Sequence, residues 1–476
     1  MPTQQAPGAV TFADLFAGVG GFAAALSAMG AEHAYAVEID KHAAAVYEEN
    51  WKHPALGDVT KDANDAGVTV PPHDVITGGF PCQPFSKSGA QRGMDEVRGT
   101  LFWNIEKIVR ERKPTLICLE NVRNLAGPRH KHEWQVIIEH LRNAGYQVAE
   151  ESAVFSPHLI APDFGGSPQV RERVFITATL VPEHMVMDPD PAPVALPEHV
   201  LMHREWNLVE DLPMDASRNV AGTEISLDER AWVDHWEQMV VFMRAWRADQ
   251  SRRTGEPIRR LPGHPIWADA WVSTSAERER LLDGAPAWKA GFLKKNFDLY
   301  DGLREFLGAK EMGKWLRRVR QFPESRRKLE WQAQDAESMW DCVISFRPSG
   351  LRVKRPTHLP ALVAITQTPI IGPLKRKLSA REAARLQGLP DNFSFGTQRD
   401  ALTYKQMGNG VNVGVVNQVL KAHCERDKHL LLATERGRAI YAMVSSAPDL
   451  PREAVAERLD ALQRTPDTAS AAAVLP

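Results

Sequence analysis

The sequence predicts an α/β protein: a doubly wound parallel sheet wrapped by helices, joined to a smaller and less regular domain. Three observations predict it. Up to about residue 180, short apolar runs alternate with helical patterns, as expected of a parallel sheet covered on both faces. A proline-rich passage at 181–197 interrupts that alternation. From about 200 to 345 the composition then shifts, with ten of the 13 tryptophans interleaved among arginines.

The elements follow in order. Candidate strands are VTFADL (10–15), HAYAVEI (33–39), DVITGGF (74–80), TLICLENV (115–122) and RVFITATL (173–180). Trp134, Ile137, Ile138 and Leu141 fall at i, i+3, i+4 and i+7, so an amphipathic helix lies there, and Gly145 suits its exit. The prolines of 181–197 fix the backbone and remove ladder donors, which reads as a hinge or linker. Between 200 and 345 strand and helix periodicity fades, and 345–372 looks extended. In RKLSAREAARLQGLPDNF (376–393), Ser379 with Glu382 makes a capping box, while Gly388 and Pro390 close the helix. MGNGVNVGVVNQVLKAH (407–423) reads as an apolar helix, and the terminal 468–476 as disordered.

Composition narrows the class. A chain of 476 residues, 43% apolar, can bury a sizeable core in two or three domains. No run approaches the roughly 20 apolar residues needed to cross a bilayer, and the N-terminus lacks a charged region followed by an apolar one, so no membrane and a cytoplasmic location are expected. Cys82, Cys118, Cys342 and Cys424 show no CxxC or His-paired spacing. That disfavours zinc or a disulfide framework, and no metal is expected. A net charge of -2 argues against coating nucleic acid through global positive charge but leaves room for a local basic groove. Residues 310–328 are strongly basic, and Arg252, Arg253, Arg259 and Arg260 form a second cluster. The ordinary reading of such runs is a solvated helix face.

The chemistry-bearing motifs lie at strand ends. DLFAGVGG (14–21) follows a strand and opens a helix, so Gly18, Gly20 and Gly21 let the backbone approach a ligand at a helix N-terminus, or serve tight packing alone. The pattern departs from G-x-G-x-x-G and no phosphate-cradling lysine accompanies it, which disfavours dinucleotide binding. Glu38, in VEID, can accept hydrogen bonds from both hydroxyls of a ribose, in NAD or S-adenosylmethionine alike. Asp58, in GDVT, stands where a third strand end can reach an adenine amino group. Cys82 lies between Pro81 and Pro84, which stiffen a turn that projects its thiol into a cleft. Cys118, inside TLICLE, reads as an inert buried hydrophobe. The reactive form is the thiolate, and a free cysteine titrates near about 8.5, so the site must lower that value.

DLFAGVGG, VEID, GGFPCQPFS, ENV, QVRERVF, RKLSAREAARLQGLP and GNGV occur in the order and types of the motifs of the DNA cytosine-5 methyltransferases of bacterial restriction-modification systems, and the sequence resembles that family over most of 10–420. The resemblance implies a Rossmann-like S-adenosylmethionine-dependent methyltransferase domain. Asp14, Phe16, Gly18, Gly20, Gly21, Glu38, Asp58, Pro81, Asn409, Gly410 and Val411 would line the cofactor pocket. Cys82 would attack C6 of cytosine, because C5 alone is too poor a nucleophile to take a methyl group from a sulfonium. Glu120 would meet N3, its pKa raised by a water-poor pocket. Arg171 and Arg173 would be supporting cations at O2 and at Glu120, against the ordinary alternative of a surface pair. Residues 86–89, continuing to Arg98, would close over a flipped-out base. The catalytic domain would be discontinuous, 1–183 with 403–476, Asn409 opening its last helix, and 184–402 would be the target-recognition domain. There arginines can read guanine edges and aromatics can fill the space of the extruded base, although tryptophans in a region this large also serve as its core.

The expected function is therefore methylation of cytosine C5 in a short duplex DNA sequence, through a covalent Cys82–C6 adduct. The expected setting is a monomer in a prokaryotic cytoplasm or nucleoid, with a cognate restriction endonuclease as candidate partner. A tRNA cytosine-5 methyltransferase shares the catalytic residues, but the long recognition region favours duplex DNA. A non-catalytic DNA-binding relative is disfavoured by the intact Cys82, Glu120, Arg173 and glycine turn. An amino-group methyltransferase would present D/N-P-P-Y/F where this chain has PCQP.

Overall fold

The computed structural model describes residues 8–81, 100–215, 219–362 and 368–464. The expectations for Cys82, for the loop through Arg98 and for 468–476 lie outside the described residues. The chain divides into two compact units, one of residues 1–206, 360–365 and 380–476, the other of 207–359 and 366–379.

In the first unit the elements run β1 (Thr11–Leu15), α1 (Gly21–Met29), β2 (Glu32–Val37), α2 (Lys41–Trp51), β3 (Val75–Gly79), α3 (Leu101–Arg112), β4 (Leu116–Val122), α4 (Lys131–Asn143), β5 (Tyr146–Val148), β6 (Ala153–Phe155) and β7 (Arg173–Leu180). Their sheet has the order β2-β1-β3-β4-β7-β5, with β6 also on β7. β1 to β4 pair in parallel, whereas β7 is antiparallel to its neighbours. All five predicted strands are present. β1 is buried at every position and β4 at all but Val122, so they read as continuous apolar runs rather than alternating ones. α4 buries Trp134, Ile137, Ile138 and Leu141, the predicted stripe. The strand order turns back between β1 and β3, and open sheets bind ligands at the carboxyl ends beside such a switch point.

Two expectations about the chain path are corrected. The proline-rich passage, expected as a hinge or linker, lies within the first unit, which runs on to Trp206: Asp188 N donates to Gln147 Oε1 at 3.0 Å, and beyond the passage Trp206 Nε1 donates to His158 O at 2.8 Å. Asn409 ends a helix instead of opening one. After α8 (Ala380–Leu386), α9 spans Asp400–Asn409, and α10 (Val413–Arg426) starts behind its own cap, Asn412, which accepts from Val415 N at 2.9 Å. α11 (Lys428–Leu432), α12 (Glu435–Ser446) and α13 (Pro451–Arg464) follow, and α10, α12 and α13 pack on α1. α8 belongs to this unit, because Ser167 Oγ donates to Leu386 O and Gln387 Nε2 to Met407 O.

The second unit is more regular than its faded periodicity suggests. It holds α5 (Leu227–Thr254), β8 (Ile266–Trp267), α6 (Ala287–Leu307), α7 (Ala309–Val319), β9 (Lys328–Gln332), β10 (Val343–Arg347), β11 (Gly350–Lys354), β12 (Ile370–Ile371) and β13 (Arg376–Lys377). The six strands form one sheet, β8-β9-β11-β10-β12-β13. α5 starts with a Ser226/Glu229 capping box. Many of the tryptophans are core: Trp236 and Trp271 are fully buried, each with its ring against Trp315. Trp236 Nε1 donates to Arg326 O at 2.8 Å and Trp315 Nε1 to His235 O at 3.0 Å, whereas the Trp271 N–H is buried without an acceptor among the described residues. Trp288 is exposed.

Candidate active site

The carboxyl ends of β1 to β4 converge on a cavity of about 520 Å³ in the first unit. Phe16 follows β1 with φ 53°, a backbone conformation strained for a bulky residue and concentrated at functional sites. Gly18 comes next, and a Cβ there would meet nothing within 4 Å, so its backbone is open to the cavity. Glu38 follows β2. Its Oε2 accepts from Gly18 N at 2.9 Å and its Oε1 from Asp40 N at 2.7 Å. Each oxygen thus keeps a lone pair while the carboxylate is held rigidly in the cavity wall.

The other two glycines do different work. A Cβ on Gly20 (φ 96°) would lie 2.1 Å from Trp51 Nε1, which donates to Val19 O. One on Gly21 would lie 2.6 Å from Val411 O. Close packing therefore fixes the glycine pair, and the turn is wedged against the GNGV loop. Asp14 is fully buried rather than lining the cavity; burial pushes its pKa up to about 8 despite a hydrogen bond from Thr77 Oγ1. Asp58 lines the cavity from the cap of a four-residue helix, Val59–Asp62, accepting from Thr60 N, and not from a sheet strand. Asn409, Gly410 and Val411 supply the opposite wall.

Glu120 and Pro81 face the same cavity. Gly79 pairs with Glu120 in the parallel register of β3 and β4, and Asn121 Nδ2 donates to Phe80 O at 2.7 Å. The backbone leading into Cys82 is thereby fastened beside the Glu120 carboxyl. Arg173 Nε lies 2.8 Å from Glu120 Oε1, an ion pair within the cavity. Burial raises the pKa of Glu120, and the Arg173 and Arg171 charges offset that only in part. Arg171 is buried, and its Nη2 donates to Gly408 O at 2.9 Å and Gly410 O at 2.6 Å. The two arginines thus divide the work: Arg173 faces the carboxylate in the cavity, whereas Arg171 fastens the loop forming the opposite wall.

The family model for C-5 cytosine-specific DNA methylase matches residues 10–425. The chain belongs to this family. It is 48% identical over 521 residues to the Type II methyltransferase M.AluI of Cellulosimicrobium cellulans, covering 92% of this chain and 96% of that one. It is 42% identical over 165 residues to M.HhaI of Haemophilus parahaemolyticus, covering 35% of this chain and 47% of that one. With M.HgiBI of Herpetosiphon aurantiacus the identity is 27% over 458 residues, covering 86% and 96%.

In this cytosine-5 DNA methylase the geometry adds residues that the motifs did not single out. Asn121 was inside ENV, yet only the strand register shows that it ties that motif to Phe80. Ile39, 74% exposed, and Asp40 follow Glu38 on the cavity rim. Lys405, just ahead of GNGV, pairs with Asp40 at 2.8 Å and brings the two sequence-distant walls together. No cluster of three or more metal-binding side chains occurs among the described residues.

Proposed function

We propose that this DNA cytosine-5 methyltransferase takes its methyl group from S-adenosylmethionine held at the carboxyl ends of β1 and β2, and that Cys82 and Glu120 act on the cytosine. The cavity residues fit such a cofactor. Gly18 offers open backbone, Glu38 keeps one lone pair per oxygen for ribose hydroxyls, and Phe16 offers a ring face. When bound, the cofactor supplies an electrophilic methyl carried on a sulfonium.

The remaining roles belong to the chain. Cys82 as thiolate adds to C6 of the cytosine, and Glu120 in its protonated form donates to N3, where negative charge develops. Arg173 orients that carboxyl. Asn121 holds the backbone entering the nucleophile's turn. The observation carrying this reading is the Gly79–Glu120 register with the Asn121–Phe80 hydrogen bond, which sets the approach to Cys82 against a buried acid on one cavity. The target base must leave the duplex stack to meet them.

The likeness to M.AluI supports a type II modification enzyme acting on a specific duplex sequence, with a cognate endonuclease as partner. We take the second unit as the target-recognition part and the enzyme as a cytoplasmic monomer. No helix among the described residues is long and apolar enough to cross a membrane. The test is Cys82→Ala, assayed for labelled methyl transfer to duplex DNA and to tRNA, with S-adenosylmethionine binding followed by calorimetry. Transfer to DNA should vanish while cofactor binding stays within about twofold. Retained transfer would overturn the nucleophile, and wild-type transfer to tRNA alone would overturn the substrate.

A further inference from the structure

The two units differ in charge. The second carries 29 Lys and Arg against 23 Asp and Glu, in a chain whose net charge is -2. Part of that excess is gathered on one face of its sheet. Side chains alternate across a strand, so Leu329, Trp331, Ile344, Phe346, Leu351 and Val353 enter the core, while Lys328, Glu330, Arg347, Arg352 and Lys354 point the other way. The edge of this outer face is covered, with Val343, Ile371 and Arg376 buried and Arg376 Nη2 donating to Asp215 O. Toward β9 and β11, and at Arg347 where β10 ends, the outer-face residues are only partly buried.

There the charges do not balance. Glu330 stands beside Arg352 in the β9–β11 register and takes its Nε at 2.6 Å. Among the described residues, neither Arg347 nor Lys354 has a carboxylate within ion-pair distance, although the Glu330 charge offsets part of the burial effect at Arg347. Burial, and then the neighbouring Arg352 charge, hold both below their ordinary pKa values; Arg347 adds to the effect on Lys354. Like charges on one sheet face oppose each other, and an external anion would relieve them. Arg352 and Lys354 are same-face neighbours on β11, about 6.6 Å apart at the backbone, and Arg347 stands on β10 opposite Gly350, so the three cations are spread over two strands. A duplex backbone, with one charge per about 1.7 Å of axis, can meet each of them separately.

We propose that Arg347, Arg352 and Lys354 form a phosphate-docking face that grips the backbone of the target duplex. This rests on reading the second unit as the target-recognition part. Phosphate contacts set position and register without reading sequence, so these are positioning residues.

The test is the double variant Arg347→Gln/Lys354→Gln, with duplex affinity measured by anisotropy over a salt series and Arg317→Gln on the exposed face of α7 run alongside. The slope of log K against log salt should become shallower by about 2, near 0.9 per cation. KM for duplex should rise roughly tenfold, with the loss on KM rather than kcat. The methylated sequence and cofactor affinity should be kept, and the melting midpoint should hold or rise because repulsion is removed. An unchanged slope in the double variant with a shallower one in Arg317→Gln overturns the sheet face and leaves the recognition reading standing. Unchanged slopes in both overturn the two together. If the double variant does not fold, Lys354→Glu, whose new carboxylate can pair with Arg352, must still show a slope shallower by about 2.

Discussion

Arg173 and Glu120 meet diagonally across two antiparallel strands, Nε 2.8 Å from Oε1, while Phe175 is the residue directly opposite Glu120. The charge steadies a carboxyl that burial would otherwise drive further up. Glu120 therefore keeps its proton to higher pH than a free glutamate, and the donating form disappears as pH rises through that raised value. Glu120→Gln should lose about 10²- to 10⁴-fold in kcat/KM, and the descending alkaline limb should vanish with it. A limb that survives in the variant would assign it to another group.

Arg173→Met removes a charge that opposes the burial effect, so the same limb should shift to higher pH as overall activity falls. Arg173→Lys, which keeps the charge, should stay near the wild-type position. Equal limb positions in all three proteins would mean that the arginine does not tune the acid.

Arg171→Met should act on structure rather than on the pH profile. It strips donors from the carbonyls of Gly408 and Gly410 in a buried setting, costing about 3 kcal/mol at 1–3 kcal/mol per unsatisfied buried group. Calorimetric melting should fall and S-adenosylmethionine affinity weaken as the loop loosens. Arg171→Lys should rescue only in part, because a single ammonium can take the place of Nη2 on both carbonyls but not also that of Nη1, which donates to Leu362 O at 3.4 Å. Wild-type melting in Arg171→Met would contradict the anchoring role.

Gly21→Ala places a methyl 2.6 Å from Val411 O. Cofactor affinity should drop at least tenfold, and adding Val411→Ala should not restore it, because that change removes the Cγ1 contact at 2.7 Å but leaves the backbone oxygen at 2.6 Å. Restoration by that second change would show the contact to be a side-chain one.

The sheet was legible because its central strands β1, β3 and β4 are buried on both faces and read as apolar runs. The cavity motifs were legible for a related reason, since each sits where a strand stops. Three things were hidden. Arg171 and Arg173 are two residues apart in one motif, and only tertiary packing separates a loop anchor from a partner of the carboxyl. Asp58 looked like a strand terminus because GDVT follows an extended stretch, but Leu56 makes just an isolated bridge to Glu38 and the chain turns into a helix. The 28-residue α5 escaped because Trp, Met and Arg are spread around it and bury only a narrow line from Val233 to Met243.

The wedge of Gly21 against Val411 has a consequence for the growing polypeptide. One wall of the cavity leaves the ribosome well before the other, so the nascent chain should hold no cofactor until the residues around 411 have emerged and folded back. Fragments released before that point should be inert, even though they carry the thiol and the acid together.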